Sequence, residues 1–201
     1  MGPAGDPNAL LERAENQLGI QFRQQQAAED PVTSSPTPGL SRLNTAEDSE
    51  ARAALRTVCT SSSWTSEVLA RRPYDDLGTL LAANDAAMSG LTADDLDEAM
   101  AGHPPIGRPE PGDPASAREQ SGMAGASDDL RTEMRELNLA YQQRFGHVFL
   151  ICATGLTAEQ MREAIRHRIN NAPEQEREIV RTQLGLINRI RLTRLAEGEP
   201  A

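Results

Sequence analysis

The chain closes on a long apolar stripe. From Pro173 onward, Ile179, Val180, Leu184, Ile187, Ile190 and Leu195 recur mostly every three to four residues, the period of a helix and not of a strand. A helix of that length has one face to bury, so the rest of the chain is read for partners to cover it. The hydrophobic fraction is 38% but aromatic residues make only 3%. The core is therefore built from Leu, Ile, Val, Ala and Met, which suits packed helices better than a β-sandwich.

Upstream, helix-start signals recur. Thr157-Ala-Glu-Gln160 forms a full capping box ahead of Met161, Ala164, Ile165 and Ile169. Ser127 caps a helix carrying Leu130, Met134, Leu137 and Tyr141, and Phe145-Gly146-His147 ends it. Between these two helices Val148–Ala153 is apolar and β-leaning, a short buried extended connector. Thr92-Ala-Asp-Asp95 caps a helix with Leu96, Ala99 and Met100 inward, stopped at Gly102-His103-Pro104-Pro105. Thr45-Ala-Glu-Asp48 resembles a capping box before Ala51, Ala54, Leu55 and Val58. Ser61–Ala70 predicts a short helix with Trp64 and Val68. The next begins after Tyr74 with Asp75 as cap, uses Leu77, Leu80, Leu81 and Met88, and closes at Gly90. The expected fold is all-α: a compact multi-helix single domain over residues 40–196, with a short tail at 197–201. Residues 1–39 read as a weakly ordered extension. It holds one helix-spaced stretch from Asn8 to Gln26, then the polar, Pro-rich linker AAEDPVTSSPTPG.

A net charge of −10 and a pI near 4.8 oppose nucleic-acid binding, which needs a basic footprint. No apolar run is long enough to span a bilayer, and the N-terminus lacks the pattern of a secretory signal. Cys59 and Cys152 are far apart, histidines number three, and there is no CxxC or HExxH, so neither a metal site nor a disulfide framework is expected. These bounds predict a soluble cytoplasmic protein.

The segment GHPPIGRPEPGDPASAREQ, Gly102 to Gln120, is too rich in Pro and Gly for an ordinary connector. His103 stands at a helix end before two prolines. It is either a C-terminal histidine favoured by the helix dipole or an acid–base group held by a fixed backbone. Pro114 fits a helix first turn, and the helix it opens carries Ser116, Glu119 and Gln120. Ser116 and Glu119, three residues apart, share one face, either as a polar surface or as a hydroxyl and a carboxylate directed at His103. Gln120 offers an amide to a urea-like or carbonyl group. Gly122–Gly125 should weaken the helix. Arg191, between Ile190 and Leu192, is either solvated or buried against an anion. His147 and His167 read as structural, and Cys152 as a small core residue.

Taken together, the stretches GLSRLNTAEDSEARAAL, CTSSSWTSEVLARRPY, GHPPIG, SAREQSG, LNLAYQQRFGHVFLICATG and LGLINRIRLTRL, in that order, resemble the 2-oxo-4-hydroxy-4-carboxy-5-ureidoimidazoline (OHCU) decarboxylases of urate degradation. The likeness covers about residues 40 to 196. It implies a carboxy-lyase that converts OHCU to (S)-allantoin without cofactor, and a homodimer. It implies His103 as catalytic proton donor with Glu119 also catalytic. Pro104, Ser116, Ala117, Arg118, Gln120, Ile151, Cys152, Ala153, Thr154, Gly155 and Arg191 would bind substrate, with Arg189 the fallback for Arg191. The chain departs from the family at Pro105, Leu186 and Ala87-Met88, none of them a site position. Two alternatives differ in class: a non-catalytic helical interaction module, in which His103, Glu119 and Arg191 would not converge, and a decarboxylase of a related ureido acid.

Overall fold

Apolar residues at helical spacing, cut by Pro, Gly and hydroxyl caps, fold as that pattern dictates. The computed structural model describes residues 36–108 and 114–199, with the side chains of 114–116 left aside. The Asn8–Gln26 stretch and the linker after it as far as residue 35 lie outside the described residues, while the linker's last residues, Pro36–Gly39, lead into and begin the first described helix. All regular structure among the described residues is helical, so the fold is all-α as expected. The helices are α1 (Pro38–Thr45), α2 (Asp48–Val58), α3 (Ser62–Ala70), α4 (Leu77–Gly90), α5 (Ala93–Met100), α6 (Pro114–Glu119), α7 (Asp128–Phe145), α8 (Ala158–Arg168) and α9 (Pro173–Glu197). A 3-10 turn spans Ser121–Met123. None of the helices is long and apolar enough to cross a membrane.

The caps explain most of the boundaries. Thr92 and Thr157 each form a capping box, with Asp95 and Gln160 as the reciprocal partners. Ser127 caps α7, and Gly146 ends it in the left-handed conformation at φ +81°. Three readings are corrected. Thr45-Ala-Glu-Asp48 is no capping box: Thr45 is the last residue of α1, its hydroxyl bonded back to the Ser41 carbonyl, and Glu47 precedes α2 without a side-chain cap. Pro38 at the first turn nucleates that unforeseen helix. The cap of α4 is Asp76, not Asp75, because Asp76 is the residue three before Thr79 and completes the box with it. Gln120 falls just beyond α6, in the turn before the 3-10 segment.

The 25-residue α9 is the axis of the fold. It packs on α4, α1 and α2, while α3 lies against α2, α4 and α5. Val180, Leu184 and Leu192 are fully buried along it, each burial worth roughly 1.5–3 kcal/mol. Gly39 lets α1 dock: a Cβ there would lie 2.0 Å from the Leu195 carbonyl oxygen of α9. A second cluster gathers Met134 and Tyr141 of α7 with Met161 and Ile165 of α8, and adds Ile106, Met123, Phe149, Ile151 and Ala153 from the loops. The Val148–Ala153 connector is without helix or ladder and is buried from Phe149 onward. It runs from α7 to the turn before α8, and brings the second cluster to the α9 face.

Candidate active site

His103 follows the end of α5, its N–H bonded to the Met100 carbonyl at 2.9 Å. The loop behind it is pinned from two sides. The Gln120 Oε1 accepts the Gly107 N–H at 2.8 Å, and Asn138 of α7 donates its Nδ2 to the Ile106 carbonyl at 3.0 Å. With Ile106 buried in the second cluster, the imidazole has little freedom and is only 9% exposed. That burial, with the Arg191 guanidinium nearby, pushes its pKa from the ordinary 6.5 down to about 3. His103 is thus a neutral imidazole at physiological pH. Burial and the neighbouring guanidinium both disfavour the dipole-stabilised cation considered for this helix end.

Glu119 ends α6 and meets α9. The Arg191 Nε donates to its Oε1 at 2.7 Å and the Arg191 Nη2 to its Oε2 at 2.9 Å, a two-pronged fork. The third guanidinium nitrogen, Nη1, donates to the Val58 carbonyl at 3.1 Å, tying the pair to α2. Of its two readings, solvated or buried against an anion, Arg191 takes the second. Its fork is closed on Glu119. Arg189 instead pairs with Asp85 on α4, with a quarter of its side chain exposed.

One cavity gathers these groups. His103, Pro104, Glu119, Gln120, Ile151, Ala153 and Thr154 line it. So an imidazole and a carboxyl group share a space walled by the connector and by Ile187 and Ile190 of α9. Among the described residues no group of His, Cys, Asp and Glu is placed to hold a metal ion. The arrangement can hold a polar molecule and move protons across it.

The family profile of OHCU decarboxylase matches residues 44–193, well over half of the chain. The chain belongs to the OHCU decarboxylase family. The uric acid degradation bifunctional protein TTL of Arabidopsis thaliana is 30% identical over 147 residues, which is 70% of this chain and 45% of that protein. The chain therefore spans less than half the length of that bifunctional relative. A crystal structure of OHCU decarboxylase in the presence of (S)-allantoin is similar at a TM-score of 0.63 and 27% identity, over 75% of this chain and 98% of that one. A crystal structure of (S)-allantoin synthase shares the fold at a TM-score of 0.59 and 21% identity, over 78% of this chain and 53% of that one.

Within this family member the expected site positions divide. His103 and Glu119 converge on one cavity and Arg191 bonds to Glu119, an arrangement the interaction-module alternative did not expect. Ala117 and Arg118 face solvent on α6. Ser116 is helical, and its side chain is outside the described ones. Cys152 is buried behind the cavity wall; burial pushes its thiol up to about 11. Gly155 is exposed in the turn after the connector, at φ +80°. His147 stacks on Phe145 and bonds to the Val148 carbonyl, a structural use.

Several wall residues went unread: Ile106, Phe149 and Leu150, with Ile187 and Ile190 counted only as stripe. Also unread were the buried polar groups that hold the walls, Asn138, Gln183, Arg168 and Glu176. Helical register carried a signal for two of them. Gln183 sits three residues after Val180, and Asn138 four after Met134, each a polar side chain on a buried stripe.

Proposed function

We propose that this protein catalyses the decarboxylation of OHCU to (S)-allantoin in urate degradation, without a cofactor. The observation that carries this reading is the convergence of His103 and Glu119 on one cavity walled by the connector, in a chain of this family. OHCU carries its own electron sink. When the bond from C4 to the carboxylate breaks, CO2 leaves and the electron pair moves toward the adjacent ring C=N. That gives a C4=C5 double bond still bearing the C4 hydroxyl. The ring nitrogen that receives the pair takes up a proton from solvent, and loss of the hydroxyl proton with gain of a proton at C5 then yields the ring carbonyl and allantoin.

His103 and Glu119 manage those two proton movements. A neutral imidazole has a lone pair for the hydroxyl proton, and the negative charge of a bound substrate would offset the burial that depresses its basicity. Once charged, it is an acid held beside the cavity. The proton it delivers to C5 is then the one it has taken, and the face it serves sets the product's handedness. Glu119, oriented by the Arg191 fork, is the second proton-handling group and aligns the substrate. Pro104, Gln120, Ile151, Ala153 and Thr154 form the binding surface, which supplies orientation as much as rate. Two free, buried cysteines suit a reducing compartment, and the reading places the protein in the cytoplasm as a homodimer. Light scattering on a sizing column should return twice the 21.8 kDa chain mass; a monomer mass would remove the dimer from the reading.

The test is the ultraviolet decay of freshly generated OHCU together with CO2 release. The protein should accelerate both in proportion to its concentration, and His103→Ala should return them to the uncatalysed rate with helicity intact. Decay unchanged by the protein would overturn the assignment and turn attention to related ureido acids.

A further inference from the structure

The cavity wall from Phe149 to Thr154 is irregular backbone, yet buried backbone needs its polar groups accounted for. Two side chains take alternate groups of it. Arg168 of α8 donates its Nη1 to the Leu150 carbonyl at 2.8 Å. Gln183 of α9 accepts the Cys152 N–H on its Oε1 at 2.9 Å. Held at Leu150 and at Cys152, the wall is fixed on either side of Ile151. The N–H groups of Ile151 and Ala153, both lining residues, have no protein acceptor among the described residues.

Both clamps are themselves fixed. Arg168 is fully buried, its Nε and Nη2 on the Glu176 Oε1 at 2.8 and 2.6 Å and its guanidinium 4.6 Å above the Phe149 ring centroid. Glu176 is held in turn by Asn171 at 2.8 Å and by the Tyr141 hydroxyl. Gln183 is 5% exposed, and the N–H it accepts fixes which way its amide faces. An apolar residue would pack at position 183 without any desolvation penalty, so an amide there has the Cys152 N–H as its use.

We propose that Gln183 and Arg168 are positioning residues: they grip the connector from behind so that the Ile151 and Ala153 peptide groups stand ready as a binding edge for a peptide-like ureido group. This rests on the decarboxylase reading for its substrate, not for the clamp itself. The test compares Gln183→Met, similar in size but without the acceptor, with Gln183→Glu, which keeps one. The methionine variant should stay helical, exchange its Cys152 amide proton faster than the wild type, and lose roughly ten- to a hundredfold in kcat/KM. Its allantoin should lose enantiomeric purity, and the glutamate variant should recover both properties. Unchanged Cys152 exchange with unchanged kinetics and handedness would overturn the proposal, as would an activity loss no larger than the loss of folded protein. Should Gln183→Met fail to fold, Gln183→Asn, whose amide falls one methylene short, is read the same way. A wild type inactive on OHCU would remove the decarboxylase reading, while Cys152 exchange would still decide the clamp.

Discussion

An imidazole pKa near 3 makes His103 a source of acid sensitivity. In the unfolded chain a histidine titrates near 6.5. Between pH 6.5 and 3 the unfolded state therefore binds a proton that the folded state refuses, and stability falls as pH falls through that window. The loss amounts to on the order of a few kcal/mol. Urea melts of the wild type and His103→Asn at pH 7.5 and pH 4.5 should show the wild type losing more stability between the two; equal losses would contradict a buried neutral imidazole. The Arg191–Glu119 fork behaves differently. Arg191→Met leaves a buried carboxylate unpaired and should cost about 3–5 kcal/mol. Replacing Glu119 by Leu in the same variant should return much of that stability and none of the activity. Failure to recover would mean that Arg191 is held chiefly by its Val58 contact. Arg191 was legible in part: its apolar neighbours left it solvated or buried, and a buried arginine must find an anion. For Gln183 and Asn138 the register showed burial but not the role, since their partners are backbone groups of loops whose course no periodicity records.

At the scale of elements, the sequence spoke most clearly through caps. The boxes at Thr92 and Thr157 and the Ser127 cap are local chemistry, settled within four residues, and they fixed where α5, α7 and α8 begin. The start at Thr45 misled because the same residues could also finish a preceding helix, and Pro38 had already begun one. The glycines after α6 were read as helix weakeners, and a tertiary reason lies behind one of them. A Cβ on Gly122 would sit 1.9 Å from the Leu156 carbonyl oxygen, so the 3-10 turn packs directly on the loop that follows the connector. Gly122→Ala should therefore cost about 1–3 kcal/mol through overpacking, lower Tm by several degrees and reduce activity, because the displaced loop carries the cavity wall. A variant with wild-type Tm would show that this approach is looser than described. Only the folded chain brings residues 122 and 156 together, and no local pattern predicts that.

For the molecule as a whole, the site stands where two packed groups of helices each contribute a wall. The α9 face supplies Ile187 and Ile190, and the α7–α8 cluster supplies Ile106, Phe149 and the connector. Stripe periodicity made the all-α class legible, and the resemblance pointed to His103 and Glu119. Neither could place the cavity, which depends on how the two clusters meet. If His103 and Glu119 act as proposed, this cavity governs the handedness of a reaction the substrate can undergo unaided. Circular dichroism of the allantoin formed when wild-type protein meets freshly generated OHCU reads that handedness. Rapid growth of the signal of the S enantiomer alone is expected. A racemic product, whatever its rate of appearance, would contradict that role.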